Sequence, residues 1–147
     1  MAGKAFSGAA AKVYAETAKG RVEVGWATGI SGNENIALQR VDVLGEIDSQ
    51  EIEPVGRTVS FTCEFVRIKS AGLQEMGLAP RGDTVAVLEF PELTFEIWDQ
   101  VDDKVRIKLM GCKCESRGWR LDRQSVMTEN ASYQARAMYD EAGIAAA

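Results

Sequence analysis

The sequence predicts an all-β fold, mainly antiparallel: a sandwich or barrel of eight or nine strands with one short helix. Three observations predict it. Runs of strand length alternate apolar and polar residues at period two. Turn residues punctuate those runs at short intervals. Strand follows strand without helices of crossover length, which leaves antiparallel pairing as the default. The chain has 147 residues and a mass of 16.0 kDa. A compact fold of that mass exposes roughly 7,400 Å² and removes about two-thirds of the unfolded surface from water, enough for one core.

Taken in order, residues 1–11 are small and Gly/Ala-rich, without core periodicity, and read as an N-terminal arm. Residues 12–141 read as a single β domain and 142–147 as a loose C-terminal tail. A short strand covers 12–16. A second covers 21–28, with Val22, Val24 and Trp26 on one face. Gly29 and residues 31–35 have loop composition. A third strand covers 36–44, and its alternation slips between Leu38 and Val41, which predicts a bulge. Residues 45–56 contain Pro54 and the acids Glu46, Asp48, Glu51 and Glu53, close to Asp42. They read as a protruding hairpin tip or long loop.

The clearest strand is 57–69. Val59, Phe61, Cys63 and Phe65 share one face; Thr58, Ser60, Thr62 and Glu64 share the other. The short helix falls at 70–78, where Ser70 can cap, Leu73 and Met76 sit at i, i+3, and Gly77 and Pro80 end it. A turn at Arg81, Gly82 and Asp83 leads to a strand over 84–90. Leu93, Phe95 and Ile97 alternate in the next strand, a hairpin turn follows at 101–104, and 105–114 returns. A last pair, 119–127 and 131–139, places Tyr133, Ala135, Ala137 and Tyr139 on one face.

Composition excludes several activities. Histidine is absent, so no Ser-His-Asp or Cys-His pair exists and no His-ligated metal. The formal charge of −5, from 17 basic against 22 acidic residues, argues against an electrostatic grip on nucleic-acid phosphates. No apolar run approaches the ~20 residues of a membrane span, and the start lacks the apolar region of a secretory signal. The glycines of 26–32 lack phosphate-loop spacing, and the acidic set lacks calcium-loop spacing. Arg81, Gly82 and Asp83 spell an adhesion tripeptide, but all three are common turn residues. No catalytic, cofactor-binding or metal-binding residue emerges, and the chain does not read as an enzyme.

Two patterns remain. Cys63, Cys112 and Cys114 make an odd number of thiols. Cys112 and Cys114 share a strand face, a spacing that rarely forms a mutual disulfide, so the choice lies between reduced thiols and cross-links between subunits. Charge is also segregated. The acidic stretch 42–53 faces a stretch, 104–123, with seven basic residues against Glu115 and Asp122. Such a chain can associate head to tail, and Glu46, Asp48, Glu51, Glu53, Lys104, Arg106 and Lys108 are the candidate contact residues. The polar row Thr58, Ser60, Thr62 and Glu64 faces water, either outside the molecule or in a channel.

In residues 45–67, a Pro-x-Gly loop end at Pro54 to Gly56 leads into the long strand of alternating Thr/Ser and apolar residues. Near the end stands Glu129-Asn-Ala-Ser-Tyr-Gln-Ala135. With the order of elements, these stretches resemble the tail tube proteins of phages with contractile tails, which share a fold with the type VI secretion tube protein. The resemblance spans roughly residues 20–140. It implies a virion structural subunit that assembles in the host cytoplasm into stacked, hexameric rings. Each subunit would add four strands to an inner barrel through which DNA is ejected without specific binding. The partners it implies are other copies of the chain, sheath protein, baseplate and tape-measure protein, with no membrane. Thr58, Ser60, Thr62 and Glu64 are then candidates for the lumen, and loop 45–56 and arm 1–11 for ring-to-ring contacts. The competing readings are a tail terminator or neck ring, and a small β-barrel binding module.

Overall fold

The computed structural model describes residues 5–17, 20–24, 26–67, 74, 77–80 and 82–146. A 3-10 turn at Gly8–Ala10, capped by the Ser7 hydroxyl, leads into β1 (Ala11–Thr17) and β2 (Gly20–Glu23). Then come β3 (Trp26–Val41), β4 (Glu51–Val66), α1 (Thr84–Leu88), β5 (Leu93–Asp99), β6 (Lys104–Arg120), β7 (Thr128–Ala135), β8 (Ala137–Tyr139) and α2 (Glu141–Ala146). All pairings are antiparallel, in the order β2-β1-β5-β6-β7-β4-β3, with β8 also on β6.

The 17-residue strand β6 belongs to two sheets. Its first part, through Cys112, pairs with β5, and from Lys113 onward it pairs with β7. Two irregularities allow the change of direction: Gly111 at φ +67° and a bulge between Cys114 and Ser116. The two sheets face each other over one core. Phe61 from β4, Tyr133 from β7 and Phe95 from β5 meet there. Phe61 stacks on Tyr133 at 5.2 Å and meets Phe95 edge-on at 5.0 Å. The Tyr133 hydroxyl donates to the Leu78 carbonyl at 2.8 Å, which satisfies a polar atom at the centre of the apolar cluster.

Several expectations need correction. Residues 31–35 are not a loop; they form the middle of β3, hydrogen-bonded to β4 through Ser31–Thr62 and Asn33–Ser60 pairing. Residues 84–90 are not a strand. The Asp83 carboxylate accepts from the Ala86 amide at 2.7 Å and caps the helical turn α1. The strand placed at 119–127 ends at Arg120, and the ladder resumes only at Thr128. The strand placed at 131–139 is two: β7 pairs with β4 and β6, whereas β8 pairs with the other part of β6. The stretch 21–28 is likewise divided between β2 and β3. The C-terminal residues, expected to be loose, are helical through Ala146. The helix expected at 70–78 lies mostly outside the described residues; of that segment, Gly77 bonds back to Gln74 in a turn. The bulge expected between Leu38 and Val41 is not there; the pairing is regular over those residues, and the irregularity lies at Ala37/Leu38, where β4 carries the extra residue, Val55.

Candidate functional site

The outward face of the β6-β7-β4-β3 sheet is polar row by row. Register sets the rows. Thr62 lies opposite Ser31 on β3 and Ser132 on β7, and Ser132 lies opposite Ser116 on β6. Ser60 stands between Asn33 and Gln134, and Gln134 opposite Lys113. Glu64 stands between Gly29 and Asn130, and Asn130 opposite Gly118. Side chains tie the rows together: Ser60 donates to Asn33 Oδ1 at 2.9 Å, and the Thr62 and Ser132 hydroxyls lie 3.0 Å apart. The charges in these rows, Glu64 and Lys113, are opposite in sign. At the end of the face Arg120 is answered by Asp122 at 2.9 Å.

Thr58, Ser60, Thr62 and Glu64 therefore fall on one outward column, while Val59, Phe61, Cys63 and Phe65 are buried. Their neighbours on β7 were readable, because Thr128, Asn130, Ser132 and Gln134 alternate with buried Glu129, Ala131 and Tyr133. Those on β3 were not, since Ser31, Gly32 and Asn33 have turn chemistry and no apolar alternation.

Both margins of this sheet are open. Among the described residues β3 pairs only with β4, and β6 from Lys113 onward pairs only with β7. Each margin presents unpaired backbone donors and acceptors.

Beyond Val59 the β3–β4 hairpin leaves the sandwich. Residues 51–58 are all exposed, an extension of roughly 26 Å at about 3.3 Å per residue. Its tip, residues 42–50, carries Asp42, Glu46 and Asp48, with Leu44 and Ile47 fully exposed at 103% and 102%. Glu51 and Glu53 follow at the start of β4 and are also exposed. In total the chain exposes 10330 Å², well above the roughly 7,400 Å² of a compact fold of its mass.

The candidate cations do not gather near this arm. Lys104, Arg106 and Lys108 lie on the first part of β6, in the other sheet. Arg106 is already paired inside its own chain, with Asp99 at 3.0 Å, Asp102 at 2.6 Å and Glu141 at 3.0 Å. That bond holds the Asp99 carboxyl below the usual carboxylate range and ties α2 to the β5–β6 turn. A second basic group sits at the far end of the polar sheet; its Arg117 belongs to the basic stretch 104–123 read from the sequence, whereas Arg67 was not singled out. Arg67, Arg117, Trp119, Met127 and Glu129 line a cleft of about 420 Å³ there. Glu129 takes Arg67 Nη1 at 2.7 Å through Oε1; its Oε2 is buried without a hydrogen-bond partner among the described residues.

The thiols divide by depth. Cys63 and Cys112 are 1% and 0% exposed, and burial pushes both up to about 12. Both are free thiols within the core of the chain. Cys114 is half-buried and raised for the same reason. No helix among the described residues is long and apolar enough to cross a membrane.

The family model described as Phi812 tail tube protein matches residues 6–138, nearly the whole chain. The chain belongs to the Phi812 tail tube protein family. No curated protein matches it. Solved structures show the same fold at low identity. The SPP1 tail tube aligns with a TM-score of 0.68 at 10% identity, over 91% of this chain and 77% of that one. The sheath/tube terminator of the PVC extracellular contractile injection system aligns at 0.67 and 8%, over 95% and 98%. The tail of an empty gene transfer agent particle, refined helically with C6 symmetry, aligns at 0.59 and 14%, over 92% and 98%. In the tail tube fold seen here, the polar sheet and the arm are what the sandwich core leaves facing outward.

Proposed function

We propose that this tail tube protein forms six-membered rings that stack into a hollow tube, and that the tube conducts DNA during ejection. The observation that carries the reading is the four-stranded polar sheet with two open margins. Its strands alternate in direction from β6 through β7 and β4 to β3, so β6 of a second copy can continue the antiparallel order beside β3. Repeating that contact around an axis closes the sheet and leaves no edge exposed. The C6 symmetry of the gene transfer agent tail supports a ring of six. Six copies of four strands would make a barrel of 24, beyond the 16–18 strands at which a barrel holds an aqueous channel.

On this reading Thr58, Ser60, Thr62 and Glu64 line the lumen. The ring carries −30 in all, six times −5, while the lumen rows are close to neutral. A hydrated wall without clustered cations lets DNA phosphates slide past without counterion release. Assembly would take place in the host cytoplasm, with sheath, baseplate and tape-measure protein as further partners. Negative-stain microscopy of the purified chain tests the reading. Long hollow tubes with six-fold end views are expected. Isolated rings that never stack would favour a terminator, in line with the likeness to the PVC terminator. Monomers at high concentration would overturn both.

A further inference from the structure

We propose that α2 is a strap over the free margin of the first part of β6, latched by the Arg106–Glu141 ion pair and released by salt. The strap belongs to the single chain and does not depend on rings or stacks.

β8 is too short to cover that margin. It pairs Ala137 with Met110, Met138 with Leu109 and Tyr139 with Lys108, and stops. Residues 104–107 bond to β5 on one side and, among the described residues, to no strand on the other. One more pair of steps in the same register would set Glu141 opposite Arg106. The chain coils there instead. Asp140 Oδ1 accepts from the Ala142 and Gly143 amides at 3.1 and 3.3 Å, and α2 packs on β6 and β8. A helix laid along an open margin blocks the addition of a further strand.

α2 does not hold its shape unaided. Its 6 residues fall well below the ~12–15 that an isolated helix needs, and Gly143 in its middle weakens it further. Two contacts hold it down. Glu141 takes Arg106 Nη1 at 3.0 Å. Gly143 lies so close to Tyr139 that a Cβ there would stand 2.9 Å from the ring. Arg106 is a fixed post, because Asp99 and Asp102 bind its Nε and Nη2. The other charges at the latch are Lys104 and Lys108 on β6 and Asp140 ahead of α2. The Glu141 side chain is 56% exposed, so dissolved ions reach the pair and screen it. Helix and docking form together, and loss of the latch frees the whole segment. Release uncovers the margin at 104–107. It also opens the groove of about 660 Å³ between α2 and the N-terminal segment, where Phe6, Val101 and Ile107 supply apolar wall.

Hydrogen exchange read by mass spectrometry tests this, at a concentration where light scattering shows no assembly. Exchange in residues 140–146 and 104–107 should speed up together, by about two- to fivefold between roughly 0.01 M and 1 M salt, while β4 and β5 core amides hold constant. Glu141→Gln should exchange fast at every salt concentration and lose the salt response. Gly143→Ala separates docking from helix propensity. Propensity alone predicts slower exchange, since alanine is the better helix former. The strap requires faster exchange in both segments, because the new methyl pushes α2 off Tyr139. Salt-independent exchange in the wild type would overturn the strap. So would slower or unchanged exchange in Gly143→Ala, or release of 140–146 that leaves 104–107 untouched. None of these outcomes decides whether the chain forms tubes.

Discussion

Gly32 shows how tightly the sandwich is fitted at single positions. A Cβ there would lie 2.8 Å from the Phe61 Cβ and 3.0 Å from the Ser60 carbonyl oxygen, so the backbone of β4 would have to move. Gly32→Val is expected to cost about 1–3 kcal/mol by overpacking, read as a lower midpoint in urea. Tyr133→Phe should cost about 1–3 kcal/mol as well, because it strands the Leu78 carbonyl in the core. Three ionisable groups make stability depend on pH, Asp99 in one direction and two thiols in the other. The Arg106 hydrogen bond holds Asp99 below its unfolded value of about 3.9, so the gain is present at neutral pH and lost as pH falls through the lower folded value. Asp99→Asn should therefore melt lower than wild type at pH 7, and the two should converge in strong acid. Burial holds Cys63 and Cys112 up at about 12, so their contribution is full below about 8.5 and fades as pH rises toward 12. Cys63→Val with Cys112→Ala should flatten the alkaline limb of a melting-temperature profile.

At the scale of elements, legibility followed how much of a strand's pattern the core dictates. β4 was readable from Val59 onward because alternate residues enter the core, and β5 for the same reason. The middle of β3 was not. It borders the sheet, with Ser31 and Asn33 turned to water, so its composition is that of a loop and only pairing with β4 makes it a strand. Thr84–Leu88 reads as a strand by its β-branched residues, yet the Asp83 cap decides the local conformation in an exposed segment. The acidic hairpin tip was legible as a protrusion. The Arg67–Trp119–Glu129 cleft was not, because it joins residues from the end of β4, β6 and β7 that are far apart in sequence. Replacing residues 42–50 with a two-residue Asn-Gly turn should leave the melting temperature of the sandwich within a few degrees of wild type, since the tip contributes nothing to the buried cluster. The same variant should form no tubes in the electron microscope.

The whole molecule carries surfaces that its own fold does not use. It exposes 10330 Å², two open sheet margins and an apolar-tipped arm. An isolated chain with these features is prone to uncontrolled edge pairing, and a closed ring removes the hazard. Ion pairs between copies made by the exposed acidic arm are screened by salt, so tube length should fall as ionic strength rises from about 0.01 M to 1 M. On the proposed function the β6-β7-β4-β3 face becomes the inner wall of a stacked six-fold tube. A helical cryo-electron microscopy reconstruction of tubes grown from the purified chain tests it most directly. Thr62 and Glu64 are expected to face an open lumen, with β3 hydrogen-bonded to β6 of the adjacent subunit. A tube in which those side chains face outward or pack into a subunit core would contradict it.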